Sequence, residues 1–426
     1  MDDDTASRKL ILTQQGQRWL SQFDPLDQDA ATLLASSLAL VSHNEFRRKL
    51  EDQINEAATA VEGPVALFAV RELPKHSPEP WMTPMVQAFY SCAVPSADGR
   101  SVNPLDQTTD LGSEAIIVQI IRQITKANTN KFINHPTLEE MRVRRCRAII
   151  LVDDFIGSGG RIIDFIQSLW MEPTIKSWHS TRFIAFHVVT YSAMESGAAH
   201  VRRHKANPTI NFHREAPTLY TLPVSQERKN LLESLCRNYG KRALKGRKNM
   251  WLGYKGGMCS LIFEHGCPNN TPAILWETKD TPVGWVGLFP HRTISGEVAS
   301  VFPPEIIRGD AVSILMGSGQ KQLARSGALS RAGEVGQTVL LILALVAGGH
   351  RKRSTISFAT GLSTKDSERI LERCIKWNFL TPQRRITPQG LAELRAAKKF
   401  RPGSKDAIER GSDYYYPRQL RGAQAD

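Results

Sequence analysis

Cysteine is scarce in this chain: six in 426 residues, scattered, with no Cys-x-x-Cys pair. That usage argues against a structural zinc site and against a disulfide framework, and a reducing cytoplasm is the simplest compartment for it. Long apolar runs are also missing. The longest, Val339 to Ala347, has nine residues, whereas a membrane span needs about 20, so no membrane partner is expected. The first residues, Met1-Asp2-Asp3-Asp4, are acidic and unlike a secretory leader. Two nucleotide signatures are absent as well. No Gly-x-x-x-x-Gly-Lys-Ser/Thr argues against a P-loop, and no Gly-x-Gly-x-x-Gly argues against a dinucleotide site. No internal repeat is visible.

What is present is an ordinary globular composition, 41% hydrophobic and 23% charged, with the charge unevenly spread. The formal net charge is +13. Residues 320 to 426 carry 20 Lys/Arg against nine Asp/Glu, a net of +11, while the other 319 carry 35 against 33, a net of +2. The C-terminal quarter is therefore either a nucleic-acid-facing module or a solvated basic surface.

Hydrophobic patterning divides the chain further. Residues 27 to 58 read as helical, within an N-terminal helical region 1–62. Gly63-Pro64 then punctuates, and Val65 to Val70 reads as a short buried strand. Residues 71 to 112 read mostly as loop. A helix follows from Ser113 to Lys126, with Ile116, Ile117, Ile120, Ile121 and Ile124 on its apolar side. Ala148 to Val152 is apolar at every position, as in a strand buried on both faces of a parallel sheet. A turn, a helix with Ile162, Phe165, Ile166 and Leu169, and a strand from Phe183 to Tyr191 come next. Strand, helix, strand implies a right-handed crossover and a doubly wound α/β domain, here spanning 63–316. Met258 to Phe263 and Ala273 to Trp276 are further strand candidates. Residues 317–333, small and basic, read as a linker. A helical module occupies 334–400, and a tail with Tyr414-Tyr415-Tyr416 fills 401–426.

The most specific segment is Ala148-Ile-Ile-Leu-Val-Asp153-Asp154-Phe155-Ile156-Gly157-Ser158-Gly159-Gly160-Arg161. The strand ends at two carboxylates on the C-terminal edge of the sheet, where α/β proteins bind ligands. Adjacent acids suit the two vicinal hydroxyls of a ribose and a Mg²⁺-laden ligand. The Gly-Ser-Gly-Gly turn permits close backbone approach, and its amides lead into a helix N-terminus, a site for a phosphate dianion. Ser158 adds a hydroxyl and Arg161 a charge. The plainer alternative is that the two acids simply cap the helix.

This segment resembles the 5-phosphoribosyl diphosphate motif of type I phosphoribosyltransferases. The resemblance implies that Asp153 and Asp154 contact the ribose, that Gly157, Ser158, Gly159, Gly160 and Arg161 hold the 5′-phosphate, and that Mg²⁺ accompanies the diphosphate. It departs at the loop's end, where that family usually has Thr and this chain has Arg161. Downstream, His265-Gly266-Cys267-Pro268-Asn269-Asn270-Thr271-Pro272-Ala273-Ile274-Leu275-Trp276 and Trp285-Val286-Gly287-Leu288-Phe289-Pro290 resemble the ending of the phosphoribosyltransferase-like domain of bacterial conflict systems. Phe68-Ala-Val-Arg71-Glu72, Gly112-Ser113-Glu114 and Tyr191-Ser192-Ala193-Met194 fit the same pattern, over about residues 60 to 310. The family implies an anti-phage effector, in some loci beside a retron's reverse transcriptase and its noncoding RNA. Arg71, Ser113, Asn269, Asn270 and Thr271 are further ligand-binding candidates. Pro-Asn-Asn-Thr is equally a strong structural turn.

Arg228 to Lys255 holds nine Lys/Arg against one acid, with Tyr239, Trp251 and Tyr254 interleaved. This suits a nucleic-acid strand, or a solvated helix followed by packed aromatics. Residues 334–400 resemble the winged-helix family: helices at Val335–Ala347, Ser354–Thr360 and Ser363–Trp377, two short strands around a basic wing, and a final helix after Thr387. Arg369, Arg373 and Lys376 on the third helix and Arg384 and Arg385 on the wing are the nucleic-acid-binding candidates, although winged helices also serve as RNA or protein adaptors. The expected fold is thus a type I phosphoribosyltransferase-like parallel sheet with flanking helices, plus a C-terminal winged-helix domain. Its expected role is a phosphoribosyl-handling effector. The alternatives are a DNA-binding regulator with a degenerate, ligand-sensing transferase domain and a structural subunit of a nucleoprotein complex.

Overall fold

A computed structural model describes residues 6–71, 94–95, 102–103, 113–279, 284–303 and 311–400. Most of the expected 71–112 loop and the whole tail 401–426 lie outside these. The chain divides into two compact units, each discontinuous in sequence. One takes Ala39–Ala216 and Gly240–Glu305; the other takes Met1–Leu38, Pro217–Tyr239 and Ile306–Asp426. Compactness therefore falls at 38/39, whereas composition drew its boundary at 62/63.

The first unit is built on five parallel strands: β1 Val65–Ala69, β2 Phe132–Asn134, β3 Ala148–Ile156, β4 Ala185–Ala193 and β5 Thr209–Glu215, in the order β2-β1-β3-β4-β5. This is the expected parallel sheet. Residues 148–153 of β3 are all buried, because helices cover both faces of a central strand. The helix Ser113–Ala127 presents Ile117, Val118, Ile120, Ile121 and Ile124 as one buried stripe at helical spacing. The helix Gly160–Met171 buries Ile162, Phe165, Ile166 and Leu169 into a core shared with Phe68, Leu151 and Phe186. Each such side chain removed from water contributes about 1.5–3 kcal/mol. The chain leaves β1 for β2 on one side and returns to β3 on the other. The point of reversal, where open α/β sheets hold ligands, is therefore at the C-terminal ends of β1 and β3.

Three expected elements differ. Residues 27–58 form two helices, Gln28–Ser36 and His43–Thr59, separated by a strand, Ala39–Val41. Ser42 restarts the helix as its N-cap, accepting the Glu45 N–H at 3.3 Å. Only Leu261–Phe263 of the Met258–Phe263 candidate is a strand, and it pairs with Ala39–Val41 rather than with the main sheet. Ala273–Leu275 is a 3₁₀ turn, closed by Leu275 N–H to the Pro272 carbonyl and Trp276 N–H to the Ala273 carbonyl, so the apolar run there is a buried turn and not a strand.

In the second unit, helices Glu334–Ala347, Arg353–Thr360, Thr364–Lys376 and Pro388–Lys399 surround a core of Val339, Ile342, Ile356, Leu371, Cys374 and Leu380. Ser363 caps the third helix, accepting the Asp366 N–H at 3.0 Å, and Thr387 caps the last, accepting the Gly390 N–H at 3.0 Å. The expected wing strands reduce to one antiparallel bridge, Leu380 to Ile386. Residues 317–333, read as a linker, carry two short helices, Lys321–Ala324 and Ala328–Arg331, whose Leu323 and Leu329 pack against Leu340 and Leu341. No helix among the described residues is long and apolar enough to cross a membrane.

Candidate functional site

β3 outruns β1: its pairing with β1 stops at Val152, while its pairing with β4 continues to Ile156. The next two residues after Val152 are the acids, so they sit at the switch point. Successive strand residues face opposite ways, and the two carboxyls meet different surroundings. Asp153 is 1% exposed, and the Asp154 side chain is 14% exposed. Arg161, one residue into the next helix, reaches back over both. Its Nη2 donates to Asp153 Oδ1 at 2.7 Å and to Asp154 Oδ1 at 3.4 Å. Asp153 Oδ1 also accepts the Asp154 N–H at 2.9 Å, while Asp153 Oδ2 is buried with no hydrogen-bond partner among the described residues. His265 Nε2 lies 3.3 Å from Asp154 Oδ2. Its ring stacks on Phe263, with centroids 4.8 Å apart and planes at 15°, and packs against Phe46. Neither acid caps the helix, which disposes of the plainer alternative.

These surroundings separate the two acids electrostatically. Burial pushes Asp153 well above the usual carboxylate range, against the pull of Arg161. Burial would raise Asp154 too, but the hydrogen bond from His265 and the Arg161 charge outweigh it and hold Asp154 below that range. Arg161 is driven further toward its charged form, first by Asp153 and then by Asp154, with Glu114 also contributing. Asp154 is thus the ionised and more accessible partner of the two.

The turn after β3 is shaped by what touches it. Gly159 is the N-cap at φ +80°, with no side-chain cap on the helix Gly160–Met171. The Gly160 N–H donates to the Ser158 hydroxyl oxygen at 3.5 Å, a long contact that an anion at the helix start could replace. A Cβ on Gly157 would overlap the Asn270 side-chain oxygen, and one on Gly197 would overlap the Gly157 carbonyl. His200 Nδ1 lies 3.1 Å from the Ser158 carbonyl oxygen. The turn is therefore wedged between the Asn270 turn and the helix Glu195–Arg202. Asn270, 5% exposed, donates from Nδ2 to the Tyr254 carbonyl at 3.2 Å. Thr271 is buried, and its hydroxyl donates to the Pro268 carbonyl at 2.6 Å, so it closes its own turn. Asn269 is exposed. Arg71, just beyond β1, lies with Nε 3.8 Å from Glu114 Oε2, and Ser113 opens the helix that carries Glu114.

Sequence reasoning did not assign His265 or Glu114 to the site. His265 was legible only as part of a motif, since its partner Asp154 is 111 residues away. Arg161, expected at the phosphate, pairs with the acids. The acid pair also does not fit a resident Mg²⁺. Both inner oxygens face a guanidinium, the outer oxygen of Asp154 faces His265, and among the described residues no group of three His, Cys, Asp or Glu could hold a metal.

The aromatics of Arg228 to Lys255 serve packing. The Tyr239 hydroxyl donates to Asp27 Oδ2 at 2.8 Å and lies 3.1 Å from Asp24 Oδ2. Trp251 Nε1 donates to the Leu244 carbonyl at 2.8 Å. On the third helix of the C-terminal module, Arg369, Arg373 and Lys376 are exposed, as is Arg385 on the wing. Arg384 is not free for a ligand. Its Nη2 lies 2.9 and 3.0 Å from the two carboxylate oxygens of Glu368, tying the wing to the third helix.

The sequence model of the PRTase-CE family, phosphoribosyltransferase-like domains, matches residues 17–291. The chain belongs to this family. A second model, described as a winged helix-turn-helix associated with such domains, matches residues 340–422. The PRTase-CE match begins inside the segment expected to be a separate helical region, and it takes in β1 to β5, both acids, the glycine turn and His265. No curated protein and no solved structure matches the chain.

Proposed function

We propose that the PRTase-CE domain binds a phosphoribosyl ligand, 5-phosphoribosyl diphosphate or a nucleotide, at the end of β3. The observation that carries this reading is one juxtaposition: a helix N-terminus whose cap residue is a glycine, one short turn away from an ionised Asp154, at the switch point of the sheet. A 5′-phosphate would sit on the amides at Gly159–Arg161, with Ser158 beside it. Asp154 would accept a ribose hydroxyl, while Asp153 lies beneath and fixes the strand end and Arg161. For a substrate whose bond at ribose C1 breaks, positive charge develops on the ring. An ionised carboxylate placed beforehand stabilises it without reorganisation. His265 keeps that carboxylate oriented. No step here runs through Mg²⁺.

In this reading the domain is the effector of a bacterial anti-phage system, acting with a reverse transcriptase and its noncoding RNA. The winged helix would dock nucleic acid or a nucleoprotein through Arg369, Arg373, Lys376 and Arg385. Support for the effector role is the resemblance of the His265–Trp276 and Trp285–Pro290 segments to conflict-system domains. The regulator reading draws on a different observation. Arg161 already neutralises the acids, which suits ligand sensing without turnover. Calorimetric titration of the full chain with 5-phosphoribosyl diphosphate, followed by assay of released diphosphate, tests both. Saturable binding with release favours the effector, and binding without release favours the sensor. No binding by the wild type would remove the phosphoribosyl reading. Reversing charge at Arg373 and Arg385 should weaken nucleic-acid binding and flatten its salt dependence, because fewer counterions are released.

A further inference from the structure

We infer that Arg161 is the resident counter-cation of the acid pair, occupying the place between Asp153 and Asp154 that a divalent metal would otherwise take. Two adjacent carboxyls at the end of a buried strand cannot both ionise without a cation beside them, because burying like charges together is costly. The cation here is covalently part of the chain. Arg161 is fixed at the first turn of the helix Gly160–Met171, and one guanidinium nitrogen bridges Oδ1 of both acids at 2.7 and 3.4 Å. A Mg²⁺ demands octahedral oxygen donors at about 2.0–2.1 Å. Of the four carboxylate oxygens, the two inner ones are on Arg161, and the outer oxygen of Asp154 is on His265. Among the described residues only Asp153 Oδ2 of these four is without a hydrogen-bond partner, and it is buried. One free oxygen beneath a guanidinium is not a metal site. The positive charge of Arg161 repels a dication from the remaining position.

The consequence is that ligand recognition at the acids is independent of divalent metal. A metal travelling on a diphosphate would meet solvent and phosphate oxygens, not Asp153 or Asp154. Removing the guanidinium should reverse this. With Arg161→Gln, two neighbouring carboxylates lose their cation, and a hard divalent ion becomes the natural replacement. Arg161→Lys keeps a positive charge near both acids and should not create the site.

The test uses the full chain and Mn²⁺ alone as probe, by calorimetric titration and by melting temperature in EDTA or divalent metal. The wild type is expected to show no saturable Mn²⁺ binding that depends on the acids. Arg161→Gln is expected to melt lower in EDTA and to recover part of that loss with Mn²⁺, and Arg161→Lys to show no recovery. Saturable Mn²⁺ binding by the wild type that disappears in Asp153→Asn/Asp154→Asn would overturn the inference. So would a folded Arg161→Gln that gains no metal binding. Should Arg161→Gln fail to fold, the comparison of wild type with the double Asn variant still decides. A second arm, resting on the phosphoribosyl reading, titrates ribose 5-phosphate in EDTA and in Mg²⁺. Equal affinity supports the inference, and acid-dependent strengthening by Mg²⁺ contradicts it. Failure to bind in either buffer removes the phosphoribosyl reading and leaves the metal arm to decide the inference.

Discussion

Two arginine–carboxylate pairs mark the two ends of this chain's functional architecture, and the same chemistry does different work in each. Arg161 meets Asp153 under cover, on a carboxylate that has almost no contact with water. Arg384 meets Glu368 in a half-open setting, with the two side chains 28% and 37% exposed. In the first case only the acid is buried, with Asp153 at 2% and the Arg161 side chain at 36% exposure, so removing Arg161 leaves a buried carboxyl without its cation, while removing Asp153 leaves a guanidinium that water reaches. In the second, water competes for both groups, and the pair contributes at most about 1 kcal/mol. The buried pair shapes a site, while the open one fastens a wing.

The comparison breaks most sharply at the acids. Asp153→Asn/Asp154→Asn should lower phosphoribosyl affinity by an order of magnitude or more, since a hydrogen bond to a charged group contributes about 1.5–3 kcal/mol. Circular dichroism should show the fold retained, because the acids lie at a strand end and not within the apolar core. Unchanged affinity for 5-phosphoribosyl diphosphate in a folded double variant would place the site elsewhere. Next in size are the glycines that let the turn close. Gly197→Ala puts a methyl into the Gly157 carbonyl, a backbone clash that flexible side chains cannot absorb. We expect a loss of about 1–3 kcal/mol in urea denaturation, with ligand affinity falling alongside it. Gly296→Ala is the control for crowding, since a Cβ there meets nothing within 4 Å and the backbone is not in the left-handed region.

A finer test concerns pH. His265 is one of the contacts that hold Asp154 below the usual carboxylate range. A depressed pKa keeps the carboxylate ionised as pH falls, and losing the contact moves its titration upward. His265→Leu, which cannot donate to Asp154, should therefore bind ligand nearly as well as the wild type at neutral pH and fall behind it as pH drops below about 5, through the ordinary carboxylate range. Parallel pH profiles for the two proteins would show that His265 only packs against Phe46 and Phe263.

Much of this site was legible beforehand because it is local. The strand, the two acids and the glycine turn are contiguous, so period, burial and turn chemistry all speak within fourteen residues. The C-terminal helices were legible for the same reason: caps such as Ser363 and Thr387 act on their own neighbours. What sequence could not supply is contact across the chain. The Ala39–Val41 strand hides in a helical pattern because its partner, Leu261–Phe263, lies more than 200 residues on. His265 is a histidine like ten others until the fold sets it against Asp154. Arg161 was read as a phosphate ligand because the local motif ends there. Its reach back to the acids depends on the side-chain path of a folded helix, which no spacing rule encodes.

The smallest expected effect is at the open pair, and it discriminates between two contributions of one residue. Arg384 has a left-handed backbone, φ +57°, which costs an L-residue roughly 1 kcal/mol. Its guanidinium repays part of this through Glu368. Arg384→Ala removes the pair and keeps the strain, so it should lower stability by up to about 1 kcal/mol. Arg384→Gly removes the pair and the strain together, since glycine adopts positive φ freely. It should therefore be more stable than the alanine variant and close to the wild type. Urea midpoints for the three proteins give the order directly. An alanine variant that loses several kcal/mol would mean the wing pair is as obligatory as the buried one, and the contrast between the two regions would fail. A glycine variant less stable than alanine would mean that the left-handed backbone at residue 384 carries no cost worth relieving.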